Sequence, residues 1–297
     1  MRLLLSFILL FPALSPVGLA AEPVTLFVSI PPIKTFVEKI GGEHVKVHSM
    51  VPATHSPATY NPSPKQIAML SQARLYVRVG VPFEDSWMKR IYAAAPNMRI
   101  IDARSNIQLQ EMAAHDHGPT EHGHNEHEHH DHTAHQEDAL DPHIWTSPII
   151  VKQILVNITK ALSRESPAHK DTFEQNRQDY SARLDALDGF IRSKTATMQH
   201  PEFMVFHPAW GYFARQYGLE QIVIEKEGKQ PGPRGLAKLI EQAREHNIKT
   251  VFIQPQFSRL SAQQIAKAIG GKVIAVDPLS ADYINSMRTM ALALSGQ

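Results

Sequence analysis

Residues 24–51 read VTLFVSIPPIKTFVEKIGGEHVKVHSMV, which is the pattern of a strand, a helix and a second strand. The apolar run from Val24 to Ile30 predicts a buried strand. A helix is predicted from Pro32 to Ile40, ending at Gly41-Gly42, and Val45 to Val51 predicts the second strand. A helix between two strands is the usual crossover of a parallel sheet, so this stretch indicates an α/β fold.

The same alternation continues through the rest of the N-terminal half. Ser63-Pro64 is typical of a helix start, with serine as the N-cap and proline in the first helical position. The predicted elements that follow are a helix at Lys65 to Leu70, a strand at Leu75 to Val79, a helix at Asp85 to Ala94 and a strand at Arg99 to Asp102.

The C-terminal half repeats this organisation after one long helix. Apolar residues recur at helical spacing between Pro167 and about Met198, which predicts a single amphipathic helix. The strands predicted beyond it are Phe203 to Phe206, Ile222 to Ile224, Thr250 to Ile253 and Lys272 to Val276. The predicted fold class is therefore α/β, with two lobes that each hold a parallel sheet covered by helices, bridged by one long rigid helix.

Composition divides the 297 residues into a leader and two lobes. The predicted segments are 1–20 as a signal peptide, 21–163 as the N-terminal α/β lobe with a disordered loop at 111–139, 164–199 as the linking helix and 200–297 as the C-terminal α/β lobe.

The first twenty residues predict export. They carry one positive charge at Arg2, an apolar run from Leu3 to Phe11, and small residues before Ala21, as in a cleavable signal peptide. The chain has no cysteine, so it has neither disulfides nor a thioether-linked lipid. These features together predict a free periplasmic protein, and we expect it to be a monomer. The formal net charge of +1 disfavours a nucleic-acid partner.

A histidine-rich tract lies inside the predicted loop. Nine of the 17 histidines fall between His115 and His135: His115, His117, His122, His124, His127, His129, His130, His132 and His135. Imidazole and carboxylate groups without thiolate indicate divalent-metal binding. The tract is interpreted as a weak, multivalent zinc collector that loses metal on acidification, and a plain solvated spacer is the alternative.

Four polar residues are candidate ligands of one metal ion. In open α/β sheets ligands bind beyond the carboxyl ends of the strands, and His55, His207 and Asp277 each follow a predicted strand. His143 follows the histidine tract. Three imidazoles and one carboxylate suit Zn²⁺, with bonds of about 2.0 to 2.2 Å.

Several motifs resemble the zinc and manganese solute-binding proteins of ABC importers, the cluster A-I type, over essentially the whole mature chain. The motifs are Val51-Pro52 with residues 56–62 (SPATYNP), residues 141–145 (DPHIW), residues 206–213 (FHPAWGYF) and residues 277–279 (DPL). The resemblance implies two lobes bridged by a rigid helix, a metal ion between them, and delivery of that ion to a membrane permease. It implies that His143, His207 and Asp277 are ligands.

The first motif departs from the family form, in which a histidine directly follows Ser-Pro. That position is Ala58 here, and the nearest histidine is His55, three places earlier. His55 is the favoured first ligand, because a turn rich in proline and serine could aim either position inward. A three-residue site completed by water or by Glu225, which also follows a strand, is the alternative.

Other functions receive less support. The chain has no His-Glu-x-x-His motif, Gly-x-Ser-x-Gly elbow or phosphate loop, so an enzyme is disfavoured. A periplasmic storage protein or metallochaperone without an importer, and a manganese carrier of the same family, remain as alternatives. Manganese favours more oxygen ligands, so three imidazoles favour zinc, although imidazole also suits copper and nickel. A rigid linking helix predicts small lobe tilts on metal binding rather than a wide hinge closure.

Overall fold

The structure is a computed structural model that describes residues 22–112, 140–196, 198–226 and 228–296. The predicted signal peptide and the histidine tract at 115–135 lie outside the described residues. Within the described ranges, no helix is long and apolar enough to cross a membrane.

Strands and helices alternate along both halves of the chain. The strands are β1 (Val24–Val28), β2 (Val45–Ser49), β3 (Leu75–Arg78), β4 (Arg99–Asp102), β5 (Glu202–Val205), β6 (Glu220–Val223), β7 (Thr250–Ile253) and β8 (Lys272–Ala275). The helices are α1 (Pro31–Gly41), α2 (Pro64–Met69), α3 (Pro82–Ala94), α4 (Pro148–Glu165), α5 (Lys170–Thr195), α6 (Gly211–Tyr217), α7 (Pro233–Glu245), α8 (Leu260–Ala268) and α9 (Tyr283–Leu294).

The strands form two parallel four-stranded sheets with matching topology. The N-terminal sheet has the order β2-β1-β3-β4, and the C-terminal sheet has the order β6-β5-β7-β8. All the strand pairs in both sheets are parallel. In each sheet the second strand of that half lies on one side of the first, and the third and fourth strands lie on the other side. The predicted α/β fold class is confirmed, because both parallel sheets are flanked by helices.

The first residues of α2 and α3 follow from a capping serine and from proline in the first helical position. Ser63 caps α2 as predicted, since its side chain accepts a hydrogen bond from the backbone N–H of Gln66, and the Gln66 side chain accepts one from the backbone N–H of Ser63. Such a capping box is worth about 1 kcal/mol. The predicted helix at 85–94 begins three residues earlier, at Pro82, where proline occupies the first helical position.

The long helix α5 spans 26 residues and is preceded by a short 3₁₀ turn at Pro167–His169. The predicted apolar face of this helix is buried, at positions Phe173, Tyr180, Leu184, Leu187 and Ile191. Helix α5 packs against α1 and α4 of the N-terminal half and against α6 and α9 of the C-terminal half. It therefore contacts both sheets' helical layers along its length.

One apolar core runs through both halves. A single cluster of buried residues joins the N-terminal sheet to one face of the C-terminal sheet, for example through Phe203 and Phe252, which are each 2% exposed. The C-terminal helix α9 also returns to the N-terminal half, where the ring of Tyr283 packs edge-on against Phe36 at 5.0 Å. A shared core resists wide separation of two lobes, because separation would expose its apolar surface.

Candidate metal centre

A small cavity lies between the two sheets, at the carboxyl ends of their strands. Its volume is about 70 Å³. The N-terminal half contributes Ser56, Pro57, Ala58, Val81, Pro82, Met112, Pro142, His143 and Trp145. The C-terminal half contributes His207, Ala209, Gln254, Gln256, Phe257, Pro278 and Leu279. The cavity is mostly apolar, and the two histidines are its basic side chains.

His207 enters the cavity from the end of β5. The register pairs Val205 with Val223, so the chain places His207 beside Glu225, two residues beyond the end of β6. The Nδ1 atom of His207 lies 2.5 Å from Oε1 of Glu225, whose side chain is only 5% exposed. A carboxylate only accepts hydrogen bonds, so Nδ1 carries the proton and Nε2 keeps its lone pair for a metal.

His143 is held by a carboxylate in the same way. Its Nδ1 lies 2.7 Å from Oδ1 of Asp141, and the same oxygen accepts the backbone N–H of His143 at 2.9 Å. The side chain of Asp141 is 2% exposed, so this carboxylate is protected from water. The Asp-Pro-His turn thus positions both the backbone and the ring of His143 and leaves Nε2 available.

The two rings are placed as if to share one ion. The ring centroids of His143 and His207 lie 5.3 Å apart with their planes at 76°. Two imidazoles that bind one tetrahedral zinc through Nε2, at about 2.1 Å, would place their centroids roughly 5.2 Å apart. The observed centroid spacing is therefore compatible with a shared divalent ion.

Asp277 follows β8 but does not line the cavity. Its Oδ1 accepts hydrogen bonds from Nε2 of Gln256 at 3.1 Å and from the backbone N–H of Leu279 at 2.9 Å. Both bonds end on the same oxygen, so the orientation of the carboxylate is set while Oδ2 can serve another partner.

His55 is exposed and also does not line the cavity, whereas Ser56, Pro57 and Ala58 do. The Nδ1 atom of His55 lies 3.0 Å from the hydroxyl of Thr54, and its ring meets that of Tyr60 edge-on. Because a hydroxyl can donate or accept, this contact does not decide which ring nitrogen of His55 carries the proton.

The structure thus brings His143 and His207 together and leaves His55 and Asp277 apart from them. Across the ranges that the structure describes, no group of three or more His, Asp or Glu side chains is close enough to hold a metal ion. A site with all four predicted ligands requires the loop that carries His55 to turn inward and Asp277 to approach the two rings.

Burial adjusts the protonation of the groups around the cavity. Burial lowers the pKa of His207, although its hydrogen bond to Glu225 acts in the opposite direction. Burial also raises the pKa of Asp277, against the effect of its bonds from Gln256 and Leu279. A neutral imidazole and a carboxylate that lacks full hydration both gain from a nearby cation.

Hydrogen bonds tie the histidine-bearing turn to the C-terminal half. The indole Nε1 of Trp145 donates to the carbonyl of Pro278 at 2.8 Å, and the hydroxyl of Tyr212 donates to the carbonyl of Asp141 at 3.1 Å. Gly211 is needed beside this turn, since a Cβ there would lie 2.5 Å from Oδ2 of Asp141. Trp145 lines the cavity, whereas Trp210, Tyr212 and Phe213 are buried in the core.

Sequence reasoning missed three polar residues of this centre. Asp141 stands two places before His143, a spacing that could have indicated its role. Gln254 directly follows β7, accepting the backbone N–H of His207 at 3.4 Å and donating to its carbonyl at 2.9 Å. Gln256 carried no comparable signal, because its partners come from distant parts of the chain.

The family model for zinc-uptake complex component A, periplasmic (ZnuA), matches residues 26–296. The chain belongs to this family. It is a family of solute-binding proteins for metal transport, not a family of enzymes. The match spans both sheets, the linking helix and the cavity between them, so it covers every element that builds the centre.

Individual relatives agree with this membership. The high-affinity zinc uptake system protein ZnuA of Bacillus subtilis (strain 168) is 31% identical over 256 residues, which are 84% of this chain and 76% of the relative. A crystal structure of ZnuA is 37% identical with a TM-score of 0.82, over 93% of this chain and 99% of that chain. A 138-173 ZnuA deletion mutant with zinc bound is 37% identical with a TM-score of 0.81, over 92% and 97%.

Proposed function

We propose that this protein is a periplasmic, high-affinity zinc carrier that captures Zn²⁺ between its two lobes and delivers it to an ABC-type membrane importer. The observation that carries the proposal is the His143–His207 pair, whose ring centroids lie 5.3 Å apart, with Nδ1 of each ring held by a buried carboxylate. Two imidazoles prepared in this way suit zinc. The zinc named in the descriptions of the relatives supports the choice of metal.

We propose His55, His143, His207 and Asp277 as the four ligands. His143 and His207 receive the ion first, and Asp277 then approaches with Oδ2. His55 joins when its loop turns toward the cavity, which Ser56, Pro57 and Ala58 of that loop already line. In the alternative site, water or Glu225 replaces His55; Glu225 has a second buried oxygen, Oε2, without a hydrogen-bond partner.

Capture and handover need no wide opening of the molecule. The apolar core shared by the two halves supports a small lobe tilt on zinc binding. The tract at 115–135 collects zinc weakly, and the predicted cleavable signal peptide directs the chain to the periplasm, where it acts as a monomer without nucleic acid. A manganese carrier is the second candidate in the same family, but three imidazoles favour zinc over manganese.

The test is zinc titration of the full mature chain against a chromophoric chelator. Wild type, His143→Ala and His207→Ala are compared, with His246→Ala as the matched control. His246 pairs with Glu202 at the start of β5, the opposite end of the sheet from the cavity. We expect one tight site that is lost in the first two variants and kept in the control.

A second arm repeats the titration with residues 115–135 removed. We expect the tight site to persist and only weaker binding to disappear. Loss of all tight binding in this arm would contradict the carrier and favour a storage protein that binds through the tract. Tight manganese binding with weak zinc binding would favour the second candidate.

A further inference from the structure

Gln256 connects the two halves of the proposed site. It lies three residues beyond the end of β7, in the C-terminal half. Its Nε2 atom donates to the carbonyl of Ala53 at 2.7 Å and to Oδ1 of Asp277 at 3.1 Å. Ala53 belongs to the N-terminal half, two residues before His55. One amide group therefore contacts the loop of one proposed ligand and the side chain of another.

The chemistry of the two partners determines the orientation of this amide. A backbone carbonyl and a carboxylate are both acceptors, so only the NH₂ group of Gln256 can face them. That group has two hydrogens, and each has one acceptor. The amide of Gln256 can therefore make both contacts at once, which a carboxylate or a shorter apolar side chain could not do.

The bridge restricts what each partner can do. Oδ1 of Asp277 accepts the hydrogen bonds from Gln256 and from the backbone N–H of Leu279, so the carboxylate is oriented through one oxygen. The carbonyl of Ala53 is anchored on the C-terminal half, while the side chain of the exposed His55 beyond it contacts the neighbouring Thr54 hydroxyl and the Tyr60 ring. The anchor therefore holds the base of the loop, two residues before the proposed ligand His55.

We propose that Gln256 is a positioning residue for zinc binding, which orients Asp277 and anchors the His55 loop so that the ligands of the two halves approach the ion together. This inference rests on the proposed function, because it takes Asp277 and His55 as ligands. Gln256 itself does not bind the metal.

The test is a double-mutant cycle on the full mature chain, with zinc affinity measured by chelator competition. The variants are Gln256→Ala, Asp277→Ala and the pair, with the exposed Gln263→Ala of α8 as the control. We expect Gln256→Ala to weaken zinc binding by about 10- to 100-fold, as for other groups that orient a ligand. In the Asp277→Ala background the same change should have a clearly smaller effect, which is the part that acts through the His55 loop.

Equal losses in both backgrounds would overturn the inference, because they would show that Gln256 does not act through Asp277. An unchanged affinity in Gln256→Ala would overturn it as well. If the thermal midpoint of Gln256→Ala falls far below that of Gln263→Ala, Gln256→Met keeps the side-chain length without the donors and replaces alanine in the cycle.

The anchoring role has its own readout. Hydrogen exchange of metal-free protein should be faster for peptides covering residues 52–60 in Gln256→Ala than in wild type, and unchanged for peptides of α5. Unchanged exchange at 52–60 would contradict the anchor. Failure of wild type to bind zinc tightly would instead reject the proposed function, so the two failures are distinguishable.

Discussion

The His143–His207 pair and the loop at residues 52–60 are two regions of one proposed site, and they differ in how far their side chains are already oriented for a metal ion. Each ring of the pair is held by a carboxylate that is at most 5% exposed, which leaves Nε2 for the metal. His55 is exposed, and its Nδ1 contacts only a hydroxyl that can donate or accept. The histidine pair is therefore preorganised, whereas the loop has to move before His55 can bind the ion.

The largest expected effect separates the two regions directly. We expect His207→Ala and His143→Ala to weaken zinc binding by more than about 100-fold, because losing a ligand should cost more than the 10- to 100-fold typical for the group behind it. His55→Ala should cost at least ten times less, since recruiting its loop offsets part of its contribution. Chelator competition measures all three. A loss in His55→Ala equal to that in His207→Ala would remove the distinction between the regions.

The second effect tests why the pair is prepared. Asp141→Asn and Glu225→Gln should each weaken zinc binding by about 10- to 100-fold, because the buried carboxylates orient the rings and keep the proton on Nδ1. Glu202→Gln is the matched control, since Glu202 contacts His246 at the other end of the sheet. Affinities in Asp141→Asn and Glu225→Gln that match the control would show that the rings need no carboxylate partner.

The third effect tests the loop. Ala58 lines the cavity, so Ala58→His should supply an imidazole with less loop movement than His55 requires. We expect about a tenfold gain in zinc affinity, and recovery of binding when Ala58→His is added to His55→Ala. An Ala58→Gln variant controls for side-chain size. A loss of affinity in Ala58→His alone would mean that position 58 packs against the site rather than contributing to it.

The smallest expected effect concerns the protonation of His207. Burial lowers the pKa of His207, while its hydrogen bond to Glu225 raises it, so Glu225→Gln should lower this pKa further. Since the folded pKa lies below the unfolded value of about 6.5, the stability that neutral His207 contributes is present above that pH and is lost as the pH falls through the folded pKa.

Nuclear magnetic resonance titration of the His207 ring in metal-free protein checks this prediction. The ring of the wild type should titrate below the ordinary histidine range, and that of Glu225→Gln should titrate at a still lower pH. A rise of this pKa in Glu225→Gln would show that the carboxylate does not stabilise the protonated ring.

The fold was predictable because its signals are local. Apolar runs, proline at helix starts and the Ser63 capping box act within a few residues of one another, and the predicted strands at 99–102 and 250–253 match β4 and β7. Other ends shifted by one to three residues; β2 stops at Ser49, where the predicted strand continued to Val51, and α3 begins at Pro82 rather than Asp85. Helix and strand ends depend on tertiary contacts, which periodicity does not report.

The candidate ligands were predictable in kind but not in arrangement. His207 and Asp277 were found because they follow strands, and His143 because of its motif. The contact of Ala53 with the C-terminal half and the second contact of Asp277 are both made by Gln256, which is 203 residues from Ala53 and 21 residues from Asp277 in the chain. Contacts over such separations leave no periodic pattern in a single sequence.

The sequence by itself determined the two parallel sheets, the long linking helix and a set of imidazole and carboxylate groups suited to a divalent cation. These features depend on residue types and on the spacing of residues that are close in the chain. Only the tertiary structure decided that His143 and His207 stand 5.3 Å apart, that Nδ1 of His207 lies beside Glu225, and that His55 lies outside the cavity. The physical reason is that these distances are set by packing of two lobes against one shared core.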